Sequence, residues 1–236
     1  LLLALAIVVL VCLLAPGAIP RDQPRELHLT LPEYREDRKD WSIGDDGRIY
    51  TSVEHFFLHD ISPQMVAWFY QHLPISTVEL RGQTLPLYHI FHPTEHGVIR
   101  VLEPAPDGTP GMVAGAMIER REWFGPFDSQ GAARIVEFSD QGMLAIPEVA
   151  GIDIGEVRHS LSAAPGGTAY RVDTVIGSTL PLIGPVLNYY LRNFVFHPRM
   201  LEQWRRHQVE EVASLQFFLA EIYAQRDQGT HFVLSQ

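Results

Sequence analysis

Cysteine and lysine are almost missing from this sequence: Cys12 and Lys39 are the only ones. A single thiol leaves no disulfide within the chain. Lys and Arg together number 18 against 28 Asp and Glu, a formal charge of −10. No basic run offsets that balance, which excludes a general nucleic-acid binder, whose phosphate contacts need a positive footprint. The basic residues other than Lys39 are arginines, the better partners for carboxylates and planar anions. Neither GxGxxG nor a GKS/T loop occurs, so dinucleotide and P-loop readings have no basis. No internal repeat is present. What remains is 236 residues, 46% of them hydrophobic. That is enough to bury the core of one domain and too apolar for a disordered chain.

Leu1 to Leu14 form an unbroken apolar run that gives way to Ala15-Pro16-Gly17-Ala18-Ile19-Pro20. Such a run is a signal-peptide core or a short membrane anchor, with a buried N-terminal helix as the third reading. The first two predict an exported or membrane-anchored protein; the cytoplasm is the alternative. Residues 21–47 are polar and charged and read as a surface linker or an embracing arm. Ser62-Pro63 is a helix start, with serine at the cap and proline in the first turn. The helix carries Val66-Ala67-Trp68-Phe69-Tyr70 and stops before Pro74, and its aromatic cluster reads as core.

Short runs rich in β-branched and apolar residues follow at 87–91, 97–103, 111–124, 133–138, 156–163 and 168–176, separated by Pro/Gly/Asp clusters. Strands in series predict an antiparallel sheet. Pro198 opens a long helix from about residue 199 to 226. The fold class expected is α+β, a curved antiparallel sheet round the C-terminal helix with a small N-terminal helical extension. The divisions are a leader at 1–20, an arm with a short helix at 21–80, the main domain at 81–228 and a tail at 229–236.

On a helical wheel Trp204, Leu215, Phe218, Leu219 and Ile222 share one stripe. Glu211 falls in the middle of that stripe, His207 lies one turn away on the same side, and Glu210 points off it. A carboxylate buried against a sheet is costly unless paired or metal-bound. Four residues apart, His207 and Glu211 can share an ion; they can equally hydrogen-bond to each other, or the helix can turn Glu211 to solvent. The segment Tyr88-His89-Ile90-Phe91-His92-Pro93-Thr94-Glu95-His96 packs three histidines together, and in an extended chain His92 and His96 share a face. Singly, each histidine reads as a surface or satisfied core residue. Together with His207 and Glu211 they suggest a zinc site. A further carboxylate comes from a strand continuing from Gly111. There Glu122 lies on the face of Ala114, Ala116, Ile118 and Phe124, and Glu119 on the face of Val113 and Met117. The small residues opposite a long helix favour Glu122.

Three blocks resemble the 2,4-diacetylphloroglucinol hydrolase family. They are Ser62-Pro63-Gln64-Met65-Val66-Ala67-Trp68-Phe69; Tyr88-x-x-x-His92-Pro93-x-x-His96; and Ile183-Gly184-Pro185-Val186-Leu187-Asn188 followed by His207-x-x-Glu210-Glu211-Val212 and Leu215-x-x-Phe218-Leu219-x-x-x-Tyr223. The resemblance spans about residues 60 to 226 in matching order. It implies a Bet v 1-like helix-grip domain holding one zinc through two histidines and two glutamates. It also implies hydrolysis of a carbon–carbon bond between an aromatic ring and an acyl group. His96, His207 and Glu211 match the family's ligands, with Glu122 as the fourth and Glu119 as its understudy. Tyr88 matches a tyrosine that hydrogen-bonds a phenolic oxygen, Tyr170 is the second such contact, and His92 joins them as a catalytic candidate. The implied partner is a small acylated phenolic; a homo-oligomer and a tether through Leu1–Leu14 are further expectations. The chain departs from the family in being shorter, in its apolar leader, and in the order of Ala67 and Phe69. Two rival readings stand beside the hydrolase. One is a non-catalytic carrier of an apolar aromatic or lipid ligand, which needs the cavity but no converging ligands. The other is a membrane-tethered interaction domain.

Overall fold

A computed structural model describes residues 8, 9, 12, 17–25 and 41–235. The leader reading falls mostly outside the described residues, among which no helix is long and apolar enough to cross a membrane. The strands are β1 (Trp41–Ile43), β2 (Ile49–Glu54), β3 (Leu58–His59), β4 (Thr77–Leu80), β5 (Gln83–Pro86), β6 (His96–Glu103) and β7 (Met117–Phe124). They continue as β8 (Phe127–Ser139), β9 (Gly142–Val149), β10 (Ile152–Asp153), β11 (Gly155–Ala164), β12 (Gly167–Ile176) and β13 (His231–Leu234). The helices are α1 (Pro63–His72), α2 (Leu87–Phe91), α3 (Gly184–Tyr190), which runs on into a π turn at Leu191–Val195, and α4 (Pro198–Ala224).

The main sheet has the order β1-β2-β12-β11-β9-β8-β7-β6, with β10 on β9 and β3 on β12, and its pairs are antiparallel. Strand β12 shows why its faces separate. Thr168, Tyr170, Val172, Thr174 and Ile176 are buried, while Ala169 and Arg171 between them are exposed. Onto the inner face α4 lays Val212, Leu215, Phe218, Leu219 and Ile222, which join Ile118, Ile135, Met143 and Val172 in one core. This is the expected α+β architecture, a curved antiparallel sheet gripping a long helix. A small second sheet, β13-β4-β5, covers α1, where Trp68 meets Phe232 and Tyr223 edge-on at 5.4 and 5.3 Å. Ser62 caps α1 as expected, accepting the Met65 N–H.

Some boundaries differ from expectation. Residues 87–91 form helix α2 and not a strand; over five apolar residues the two periods cannot be told apart. The helix wins because it buries Leu87, Tyr88, Ile90 and Phe91 in one turn between β5 and β6. The strand expected from Gly111 starts at Met117, because Gly111 and Gly115 take φ of +90° and +91° and turn the chain. A Cβ on Gly111 would lie 2.0 Å from the Gln71 carbonyl oxygen. Strand β2 of the arm pairs with β12, and the tail strand β13 buries Phe232, so these parts of arm and tail belong to the same packed structure as 81–228, while residues 26–40 of the arm lie outside the described residues.

Candidate metal centre

Three elements meet near the middle of α4. Strands β6 and β7 set His96 directly opposite Glu122, at a register shift that follows His96. Helix α4 brings His207 and Glu211 down onto them. His96 Nε2 lies 3.1 Å from His207 Nε2 and 3.3 Å from Glu211 Oε2. Glu122 Oε2 is 3.7 Å from His96 Nε2 and 4.0 Å from His207 Nε2, and Glu211 Oε2 is 3.6 Å from His207 Nε2.

The outer ring nitrogens decide what those atoms offer. His96 Nδ1–H donates to the Tyr88 carbonyl at 2.8 Å, and His207 Nδ1–H donates to Glu95 Oε2 at 2.8 Å. Burial lowers the pKa of both imidazoles well below the ordinary value, so each is neutral and turns an Nε2 lone pair inward. Two lone pairs 3.1 Å apart are repulsive with nothing between them. With a cation between them, they are two ligands. Ligand bonds of about 2.0–2.1 Å in a tetrahedron put neighbouring donors about 3.3 Å apart, which is the scale of the spacings here. The residues present therefore fit zinc.

Around this core lies a charged frame. Glu95 Oε1 accepts the Gly125 N–H at 2.8 Å and the Arg206 guanidinium at 2.5 Å, so with His207 on Oε2 its carboxylate is fully satisfied. Arg206 also reaches Glu210, which accepts His92 Nε2–H at 3.1 Å. The His92 ring stacks on His207, centroids 4.3 Å apart. Arg120 pairs with Glu122 Oε1, and the Tyr88 hydroxyl donates to Glu122 Oε2 at 2.5 Å while its ring stacks on His96 at 3.7 Å. Burial raises the Tyr88 hydroxyl pKa, which keeps it a neutral donor. Burial also pushes the Glu211 carboxyl up to about 8.

The centre heads a cavity of about 180 Å³ between sheet and helix. Tyr88, Arg120, Glu122, His207 and Glu211 line it together with apolar Met112, Ile118, Ile135, Met143 and Val172 and with the rings of Tyr70 and His159. An apolar cavity of about 150 Å³ holds a benzene ring, so there is room for one substituted ring. A shallower groove of about 560 Å³ on the outer sheet face, between Trp41, Tyr50, Glu156 and Arg158, gathers no such cluster.

The structure thus brings His96, Glu122, His207, Glu211 and Tyr88 together. Glu119 lies on the other face of β7, against Arg100 at 2.6 Å and Arg121 at 3.3 Å. His92 stands behind His207 and away from the cavity wall. Tyr170 is buried behind Tyr70 and His159, its hydroxyl 2.6 Å from Tyr70 Oη and 2.5 Å from His159 Nδ1. Glu95, Arg120, Tyr70 and His159 were missed by sequence reasoning. Glu95 stood inside the histidine-rich segment beside His96, but a turn residue carries no periodic signal. In the sequence, Tyr70 reads only as core.

No protein-family model and no curated protein matches the chain. Solved structures do. One is a START superfamily protein from Mycobacterium smegmatis, 14% identical over 70% of this chain and 98% of that one, with a TM-score of 0.40. Another is Ara h 8.0201, 13% identical over 71% of this chain and 97% of that one, with a TM-score of 0.39. A third is the di-domain ARO/CYC BexL from the BE-7585A biosynthetic pathway, 12% identical over 71% of this chain and 52% of that one, with a TM-score of 0.41. These likenesses are distant and concern the fold alone.

Proposed function

We propose that this chain is a zinc-dependent hydrolase that cleaves the carbon–carbon bond between a phenolic ring and an acyl group. One observation carries the reading. Two imidazole lone pairs and two carboxylates converge at the head of a cavity with room for a substituted ring. His96, His207, Glu122 and Glu211 would hold the ion, and their nitrogen and oxygen donors suit zinc. When bound, zinc supplies Lewis acidity and water activation at the acyl end.

The chain's own groups do the remaining work. Glu95 and the Tyr88 carbonyl hold the two imidazoles in the tautomer that points Nε2 inward. In the net reaction one water is consumed: the ring carbon gains hydrogen and the acyl group leaves as a carboxylic acid. The ring carbon gains its hydrogen when the phenol passes to its keto tautomer, the proton moving from oxygen to carbon. As water takes the acyl group, the pair of the broken carbon–carbon bond moves onto that oxygen as phenolate. Tyr88, neutral and at the cavity head, would turn its one O–H from Glu122 Oε2 to that oxygen once the carboxylate is taken up by the ion. Tyr70 and His159 offer a second polar contact on the cavity wall, braced by Tyr170. The apolar lining keeps the ring in place and water out.

Elemental analysis of protein purified without added metal, wild type beside His207→Ala/Glu211→Ala, tests the reading. The expected result is about one zinc per chain, absent in the double variant. Acid release from acylated phenols should then vanish with it. A folded wild type that carries no zinc and takes none up would sink the hydrolase. A carrier, by contrast, would bind its aromatic ligand equally well in both proteins.

A further inference from the structure

Strand β7 places a cation on a face that should be apolar. Its inward positions are Ile118, Arg120, Glu122 and Phe124, because side chains alternate along a strand. Ile118, Glu122 and Phe124 are buried, while Arg120 between them lines the cavity with 38% of its side chain exposed. Strand β8 leaves room for that guanidinium. Its residues opposite Glu122, Arg120 and Ile118 are Ser129, Gly131 and Ala133, all of them small. A Cβ added to Gly131 would meet nothing within 4 Å, so the space across from Arg120 is open.

A guanidinium carries five N–H donors in a fixed fork. Arg120 commits Nη1, to the Ser129 hydroxyl at 3.3 Å and to Glu122 Oε1. Among the described residues its Nε and Nη2 have no hydrogen-bond partner. Neither is a buried unpaired atom, as Arg121 Nε is, so both open on free volume. These two nitrogens form the side of the fork that can meet both oxygens of a carboxylate. Arg171 uses the same pair on Asp173, at 2.9 Å from Nε and 2.8 Å from Nη2. Charge points the same way. The charged residues of the lining are Arg120, Glu122 and Glu211, since burial keeps His159 and His207 neutral. Glu95 and Glu210 are outside the lining and are held by Arg206. Two carboxylates balance a zinc dication, which leaves Arg120 as a cation without a counter-charge on the cavity wall. A buried charge in that position is costly until something pairs with it.

From the open fork beside the centre we infer that Arg120 is a specificity-determining residue that binds a carboxylate on the ring of the ligand. The inference rests on the zinc hydrolase reading and narrows its substrate to an acylated hydroxybenzoate. Positions 120 and 122 stand two residues apart on one strand, about 6–7 Å, a distance comparable to that between substituents across a benzene ring. A ring whose acyl group lies at the ion can therefore reach Arg120 with its carboxylate. An amide or an ester in that place leaves the guanidinium unpaired and is rejected.

Calorimetric titration of the zinc-loaded protein with 3-hydroxybenzoate and 4-hydroxybenzoate, each beside its neutral amide, tests the assignment. These probes lack an acyl group, so binding is read without turnover. At least one acid should bind about tenfold or more tightly than its amide, the effect of a charge-assisted, two-pronged contact. Arg120→Gln should abolish that preference and leave the affinity for the amide unchanged, which reports an intact cavity. Arg120→Lys keeps a charge beside Glu122 and should restore only part of the preference, since an ammonium has no fork. Equal affinities for acid and amide in the wild type, or no binding of either, overturn the proposal. So does a preference that survives Arg120→Gln and disappears in His207→Ala/Glu211→Ala, which would assign the carboxylate to the ion. A preference that depends on Arg120 in a protein releasing no acid from acylated hydroxybenzoates would uphold the subsite and refute the hydrolase alone.

Discussion

Glu211 is the residue whose chemistry depends most on what sits beside it. Burial holds its carboxyl near 8, whereas the ion needs a carboxylate, so metal uptake below that pH releases a proton. Apparent zinc affinity should rise about tenfold per pH unit up to about 8 and then level off. Competition titrations at several pH values would show it, with a flat profile in Glu211→Gln. In the metal-free protein the sign is opposite. A raised folded pKa contributes stability that is complete below the unfolded value of about 4.5 and is lost as pH rises through about 8. His55 and His159 act at the acid side, since burial lowers them to about 3 and about 4. Their stability is present above about 6.5 and is lost as pH falls toward those values. Thermal midpoints of the metal-free protein should therefore decline on both sides of a mildly acidic to neutral optimum. Glu95 works through another residue. Glu95→Gln should weaken zinc binding by about 10–100-fold, by loosening His207, without unfolding the chain. A dissociation constant equal to wild type would show that His207 needs no such brace.

At the scale of elements, α4 carries the most weight. It supplies both His207 and Glu211 and the stripe that fills the sheet. Leu215 is fully buried in that stripe, and Leu215→Ala should cost about 2–5 kcal/mol in urea unfolding. Zinc-saturated protein should show the same loss at a higher baseline, because metal binding stabilises the native state. Strand β7 contributes through alternation. Its inward residues Ile118, Glu122 and Phe124 meet the helix, while Glu119 is left to Arg100 and Arg121. Helix α2, short as it is, aims the Tyr88 carbonyl at His96 and so sets a tautomer on another element.

For the molecule as a whole, the cavity exists because a curved sheet and a straight helix cannot touch along their full length. Ala145 on β9 lines the gap with almost no side chain. Ala145→Phe should fill it. Zinc content should stay at the wild-type level, while turnover of an acylated phenol, or retention of any aromatic ligand, falls by at least tenfold. Loss of zinc in that variant would mean that cavity and centre are not separable. The small sheet closes the other side, where β13 runs parallel to β4 and buries Phe232 against α1.

Periodicity made the long C-terminal helix and the Glu211 anomaly on its apolar stripe readable; alternation put Glu122 and Glu119 on opposite faces, and the small residues on the Glu122 face favoured it. Both are local rules, carried by neighbours a few residues apart, and the α+β class and sheet-round-helix architecture came from summing them. What the sequence alone could not decide was local conformation where two periods compete, as at 87–91, and strand ends set by glycines, as at Gly111 and Gly115. Nor could it decide any contact between distant segments. Glu95 on His207 and Tyr70 on Tyr170 are pairings across 112 and 100 residues. Only the packed fold decides them, because a hydrogen bond or an ion pair depends on distance in space and leaves no period in the chain.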